Sequence, residues 1–210
     1  MTTTNSIVIP AKYLRFAALF AANEKTSLLR SGIEGVNVRI KDNKLVIMAT
    51  DGGMLVMVAI EGEIYYPDIA FILSTEAIKD IKKDVKDVTV TYLNNVGAVI
   101  DSCLPITLST VHGSITTATR ARLFPQVSRV VPYSLSGEHS VFASKYYVLI
   151  DKAQKLLNPS NKDAVIRIWE NGVNASIVDF NDVNICAVIM PFRLKDGREE
   201  VTYSRPGFTR

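Results

Sequence analysis

One order of elements recurs three times along this chain, and that recurrence constrains the fold more than any single motif. A strand-like SIVIP leads into Ala11 to Ala22, where Leu14, Ala17, Ala18 and Ala21 fall at helical spacing. Three β-rich runs follow at 36–41, 44–49 and 54–60, separated by Asp42-Asn43 and by Asp51-Gly52-Gly53, both suited to tight turns. The order returns with AFILS, a helix over Thr75 to Val85, and strands in VTVTYL, GAVIDS and SITTATRA. It returns again with SVFAS, a helix over Lys145 to Leu157, and AVIRIWE, VNASIVDF and VNICAVIMPF, with Asn171-Gly172 and Asn181-Asp182 at the turns. Repeated β-α-β-β-β units with helices covering one face of antiparallel sheets define an α+β fold. The first two units are expected to form one complete domain over 1–132, the third a partial domain over 133–195, and 196–210 a polar tail.

Composition narrows the function classes. The chain has 210 residues, 48% hydrophobic and 21% charged, which is ordinary for a packed globular protein. It shows neither a leader-like N-terminus nor an apolar run long enough to span a membrane, so a soluble, cytoplasmic protein is expected. Cys103 and Cys186 are far apart, without C-x-x-C spacing, and read as buried reduced thiols. His112 and His139 are the only histidines, and neither sits in a metal-ligand spacing. Motifs for phosphate cradling, dinucleotide binding and serine hydrolysis are absent from the sequence, and Asp51 reads as a turn residue rather than a catalytic carboxylate. The expectation is a protein without catalytic residues, metal or cofactor.

Net charge is +3, which permits an anionic partner without requiring one, so the placement of the cations matters. Lys79, Lys82, Lys83 and Lys86 fall at i, i+3, i+4 and i+7, one helical face opposite Ile78, Ile81 and Val85, with Asp80 and Asp84 interspersed. The third helix offers Lys145, Lys152 and Lys155, and the first offers Lys12 and Arg15. Any one such face is ordinary solvated surface; equivalent placement in all three units points to a shared anionic partner.

Three stretches are more specific. VIMATDGGMLVMV resembles the A-T-D-G-H-R-L-A turn of the bacterial DNA polymerase III beta subunit, the sliding clamp. RLFPQVSRVVP resembles the clamp's R-F-P-D-Y-R-R-V-I-P, and AVIMPFRL resembles its closing V-I-M-P-M-R-L. The resemblance covers roughly 6–194, from the family's middle domain into the second half of its last domain. It departs in three respects: the first domain and the first half of the last have no counterpart, Gly53-Met54 stands where His-Arg is usual, and about sixteen residues follow Leu194.

The resemblance implies a processivity factor that encircles duplex DNA, with helices lining the hole. Lysine meets phosphates there without reading bases. It further implies a hydrophobic pocket for short peptides of polymerases and clamp loaders. By position, that pocket would draw on Thr50, Gly52, Gly53, Met54, Leu55, Pro125, Arg129, Val130, Val188, Ile189, Met190, Pro191, Phe192, Arg193 and Leu194. A homo-oligomer is implied too: the family's ring holds twelve such units, which four chains of three would supply. The alternative is a clamp-derived adaptor of a phage or plasmid that binds clamp partners without encircling DNA.

Overall fold

A computed structural model describes residues 2–22, 33–41, 43–60, 69–95, 105–118, 124–161 and 163–192. The first unit comprises β1 (Thr2–Pro10), α1 (Ala11–Ala18), β2 (Val36–Lys41), β3 (Lys44–Thr50) and β4 (Met54–Ile60). The second comprises β5 (Ile69–Leu73), α2 (Thr75–Lys79), β6 (Asp87–Asn95), β7 (Pro105–Thr110) and β8 (Gly113–Ala118). The third comprises α3 (Ser144–Leu157), β9 (Arg167–Trp169), β10 (Ser176–Asp179) and β11 (Ile185–Ile189). Alternation sets the buried face of the strands: Val36, Val38 and Ile40 of β2 are buried, while Arg39 and Lys41 are exposed. No helix among the described residues is long and apolar enough to cross a membrane.

The units interlock by exchanging their leading strands. β1 of the first unit joins the second unit's sheet, in the order β1-β6-β7-β8, and β5 of the second joins the first unit's strands. That second sheet runs on through the third unit, in the order β5-β2-β3-β4-β11-β10-β9, because β4 and β11 pair antiparallel from Met54↔Ile189 to Val58↔Ile185. α1 packs beside both α2 and α3, so the three helices form a row with α1 in the middle. One apolar core runs beneath them. Phe180 of the third unit meets Phe16 of α1 edge-on at 5.2 Å and is 1% exposed, so this aromatic contact ties the third unit to the first. Burial of such a ring contributes about 1.5–3 kcal/mol.

Four expectations from sequence are corrected. The Thr75–Val85 helix ends at Lys79, after Ser74 caps its start by accepting from the Ala77 amide at 3.1 Å. Residues 80–86 continue as turns: the Ile81 amide reaches back only to the Ile78 carbonyl, while Arg15 donates to the carbonyls of Lys82 and Val85. Ile81 and Val85 still bury themselves, so the core is served without continuing a helix whose exposed face would hold four lysines close together. The helix from Ala11 likewise stops at Ala18. SVFAS forms no strand, because no strand of the described residues lies alongside it. The second unit contains a strand not read from sequence, Pro105–Thr110, whereas GAVIDS, Asp42, Cys103 and the 196–210 tail lie outside the described residues.

Candidate functional site

The turn between β3 and β4 is built by its own side chains. Thr50 Oγ1 donates to the Met54 carbonyl at 2.7 Å and accepts from the Gly52 amide at 3.0 Å. Asp51 Oδ1 accepts from the amides of Gly53 and Met54, each at 2.9 Å, and Gly52 takes a φ of 90° that favours glycine. Asp51 Oδ2 then faces the third unit, accepting from Lys145 Nζ at 3.1 Å and from the Tyr146 hydroxyl at 3.2 Å. Burial pushes this carboxyl up, but the amides of Gly53 and Met54 and the Lys145 ammonium outweigh it and hold it below its ordinary value. Asp51 is thus a turn residue, as read from sequence, and also a clasp between units.

Beside this turn, the Met190 amide donates to the Gly53 carbonyl at 2.8 Å, extending the β4–β11 ladder. The short 3-10 turn Val127–Arg129 arrives from the other side. Together they enclose an apolar hollow of about 210 Å³. Thr50, Met54, Leu55 and Val188 are buried in its floor; Gly52, Gly53, Pro125, Val130 and Met190 complete that part of its lining named from sequence. Ile33, Phe124 and Val127 also line it and were missed. Phe124 and Val127 lie inside the RLFPQVSRVVP stretch and could have been included, whereas Ile33 belongs to no motif.

The remaining pocket positions fall elsewhere. Ile189 is fully buried and points into the core, because alternation along β11 sends Val188 and Met190 to the hollow and Ile189 to the opposite face. Arg129 is exposed on the 3-10 turn without lining the hollow, and Pro191 does not line it. Phe192 is exposed, and its amide donates to the Val141 carbonyl at 2.6 Å. Arg193 and Leu194 lie outside the described residues.

The basic residues divide into two groups. Lys12, Lys79, Lys82, Lys83, Lys86 and Lys152 are exposed. Lys82, Lys83 and Lys86 lie in the turns after α2 rather than on a helical face. Lys145 and Lys155 are exposed but paired, with Asp51 and with Asp151 respectively. Arg15 is half-buried, with its guanidinium bound to main-chain carbonyls, so it holds the 82–85 turn rather than facing an outside partner. The two histidines make carboxylate pairs, His112 with Asp84 at 2.6 Å and His139 with Glu170 at 3.0 Å. Among the described residues no cluster of three potential metal ligands occurs.

No sequence-family model matches the chain, and neither does any curated protein. Solved structures do. The beta subunit of Streptococcus pyogenes DNA polymerase matches with a TM-score of 0.60 at 12% identity, over 90% of this chain and 66% of that one. The DNA polymerase III beta subunit of Borrelia burgdorferi, in complex with a natural product, matches with a TM-score of 0.67 at 14% identity, over 90% and 64%. The fold is that of the bacterial sliding clamp. A DnaN sliding clamp of Bartonella birtlesii bound to griselimycin shares it with a TM-score of 0.59 at 15% identity. The chain spans about two thirds of the length of these clamps, 64–66% in the three named. The clamp fold explains why motifs remote in sequence meet here: β4, β11 and the 3-10 turn come together only through the strand order.

Proposed function

We propose that this chain is a clamp-type processivity factor, a non-enzymatic protein that encircles duplex DNA and tethers a DNA polymerase through the apolar hollow. The observation that carries the reading is the joint construction of that hollow by all three motif stretches, around Met54, Val130 and Met190. Its lining suits one or two apolar side chains of an extended peptide, and its methionines adapt to differing partners. The helix row and the lysines beside it supply a sequence-independent attraction for phosphate.

The test is peptide binding with a hydrophobic polymerase C-terminal peptide as probe, followed by amide chemical shifts. We expect changes at residues 50–55, 124–130 and 188–190, and loss of binding in Val130→Asp. Binding that leaves all three segments unchanged would overturn the pocket.

A second reading, an adaptor that uses the same hollow without encircling DNA, is favoured by the edge of β9, along which no strand lies among the described residues. Retention on nicked circular DNA with loss upon linearisation supports the ring; peptide binding without such retention supports the adaptor.

A further inference from the structure

Strand pairing continues the floor of the hollow across the third unit. Leu55 stands opposite Val188, Val188 opposite Ile177, and Ile177 opposite Trp169, so these four side chains form one row across β4, β11, β10 and β9. The adjacent row, Val56, Ala187, Val178 and Ile168, lies in or against the core beneath the helices, so the first row faces the other way. Its near end, Leu55 and Val188, is the buried floor of the hollow. Its far end opens: Ile177 is half-buried and Trp169 is 45% exposed. The guanidinium of Arg167 stands over the Trp169 ring at 4.9 Å, and Asp179, opposite Arg167 on β10, faces the same side.

The chain itself carries a segment whose pattern fits this row. Phe192, the last described residue, lies two positions after Met190 of the hollow's lining. Its amide is bound to Val141, beside Ser140, whose own amide donates to the carboxylate of Glu170, the neighbour of Trp169. Phe192 is thus close to both ends of the row. Residues 199–203 read Glu-Glu-Val-Thr-Tyr, so in an extended segment Glu199, Val201 and Tyr203 share one face at intervals of about 6.8 Å. Measured from the middle of the Leu55–Val188 pair, Ile177 lies about 7 Å away and Trp169 about 12 Å, given the spacing of neighbouring strands. Apolar Tyr203 and Val201 therefore fall in register with the hollow and Ile177, and acidic Glu199 with Arg167. Residues 193–198 can span about 20 Å, which covers the few residue widths between Phe192 and Trp169.

We propose that the segment following Phe192 docks on this row of its own chain, with Tyr203 in the hollow, Val201 over Ile177 and Glu199 at Arg167. Tethering makes this an autoinhibitory contact. A short linker sets an effective concentration in roughly the millimolar range, so a partner peptide of modest affinity has to displace Tyr203 before it enters. The docking rests on the row and on the sequence of the segment; its regulatory consequence rests on the reading of the hollow as a peptide site.

The experiment uses Trp169, the single tryptophan of the chain, as reporter in the full-length protein. Acrylamide quenching of its fluorescence and amide chemical shifts are compared among the parent, Tyr203→Asp and Glu199→Lys, with circular dichroism to verify that the fold is retained. We expect quenching to rise in both variants, at a level independent of protein concentration, and the amides of 177 and 188–190 to shift. A labelled hydrophobic polymerase C-terminal peptide should bind Tyr203→Asp at least about tenfold more tightly than the parent. Quenching and shifts identical in the parent and both variants overturn the docking. Shielding of Trp169 that grows with protein concentration assigns the segment to a second copy and overturns it as well. Peptide affinity equal in parent and variant removes the autoinhibition. If the docking signals appear while the peptide binds neither protein, the docking stands and the reading of the hollow as a peptide site falls.

Discussion

The hydroxyl of Tyr146 stands where a side chain at position 53 would begin: a Cβ on Gly53 would lie 1.9 Å from that oxygen and 2.9 Å from the ring carbon bearing it. The glycine at this turn is therefore a packing requirement set by α3. It accounts physically for a glycine where the resembled clamp motif has histidine, since here the third unit's tyrosine fills the space of a larger side chain.

Gly53→Ala should consequently destabilise the protein by about 1–3 kcal/mol, the ordinary cost of overpacking. In a Tyr146→Leu background the same substitution should cost clearly less. A double-mutant cycle by chemical denaturation checks this, and equal costs in both backgrounds would remove Tyr146 as the cause.

Asp51 should give the turn an acid-sensitive stability. Its carboxyl is held below its ordinary value, so the charged form is favoured in the folded state. That stabilisation is complete above the unfolded value of about 3.9 and is lost as pH falls through the lower folded value. Asp51→Ala should cost about 1–3 kcal/mol at neutral pH through the lost amide and lysine hydrogen bonds. The gap between variant and parent should begin to narrow near about pH 4 and shrink further as pH falls through the lower folded value, in thermal melts taken across pH.

Arg15 and the nearby lysines should separate in their effects. Arg15→Ala removes donors to the carbonyls of Lys82 and Val85 and should lower stability by about 1–3 kcal/mol. Combined Lys82→Glu, Lys83→Glu and Lys86→Glu should leave the melting temperature nearly unchanged while weakening DNA retention and flattening its salt dependence. Retention measured at several salt concentrations beside thermal melts distinguishes the two roles.

The sequence made the strands and their turns legible where alternation and turn chemistry agree, as in β2 to β4 around Asp51-Gly52-Gly53. It misled at Lys79 to Lys86, because lysine spacing alone cannot show that Arg15, some seventy residues earlier, takes the carbonyls a longer helix would use internally. The composition of SVFAS suits a strand, but among the described residues it gains only the single main-chain bond from the Phe192 amide to the Val141 carbonyl and no strand ladder. The hollow was legible through three motifs; Ile33 was not, because its place in the wall depends on how the chain enters β2. Ile189 shows the complementary error, since a motif names consecutive residues while a strand turns alternate ones to opposite faces.

The joint between the first and third units is a ladder of main-chain hydrogen bonds, from Met54↔Ile189 to Val58↔Ile185. Such a ladder asks of its side chains only that alternate ones be apolar, so substitutions can accumulate on both strands without severing it. That tolerance suits a fold retained at 12–15% identity. It also makes the unit itself the natural quantum of change: a whole repeat can be joined to another through the same backbone chemistry, with side-chain ties such as Phe16–Phe180 added beside it.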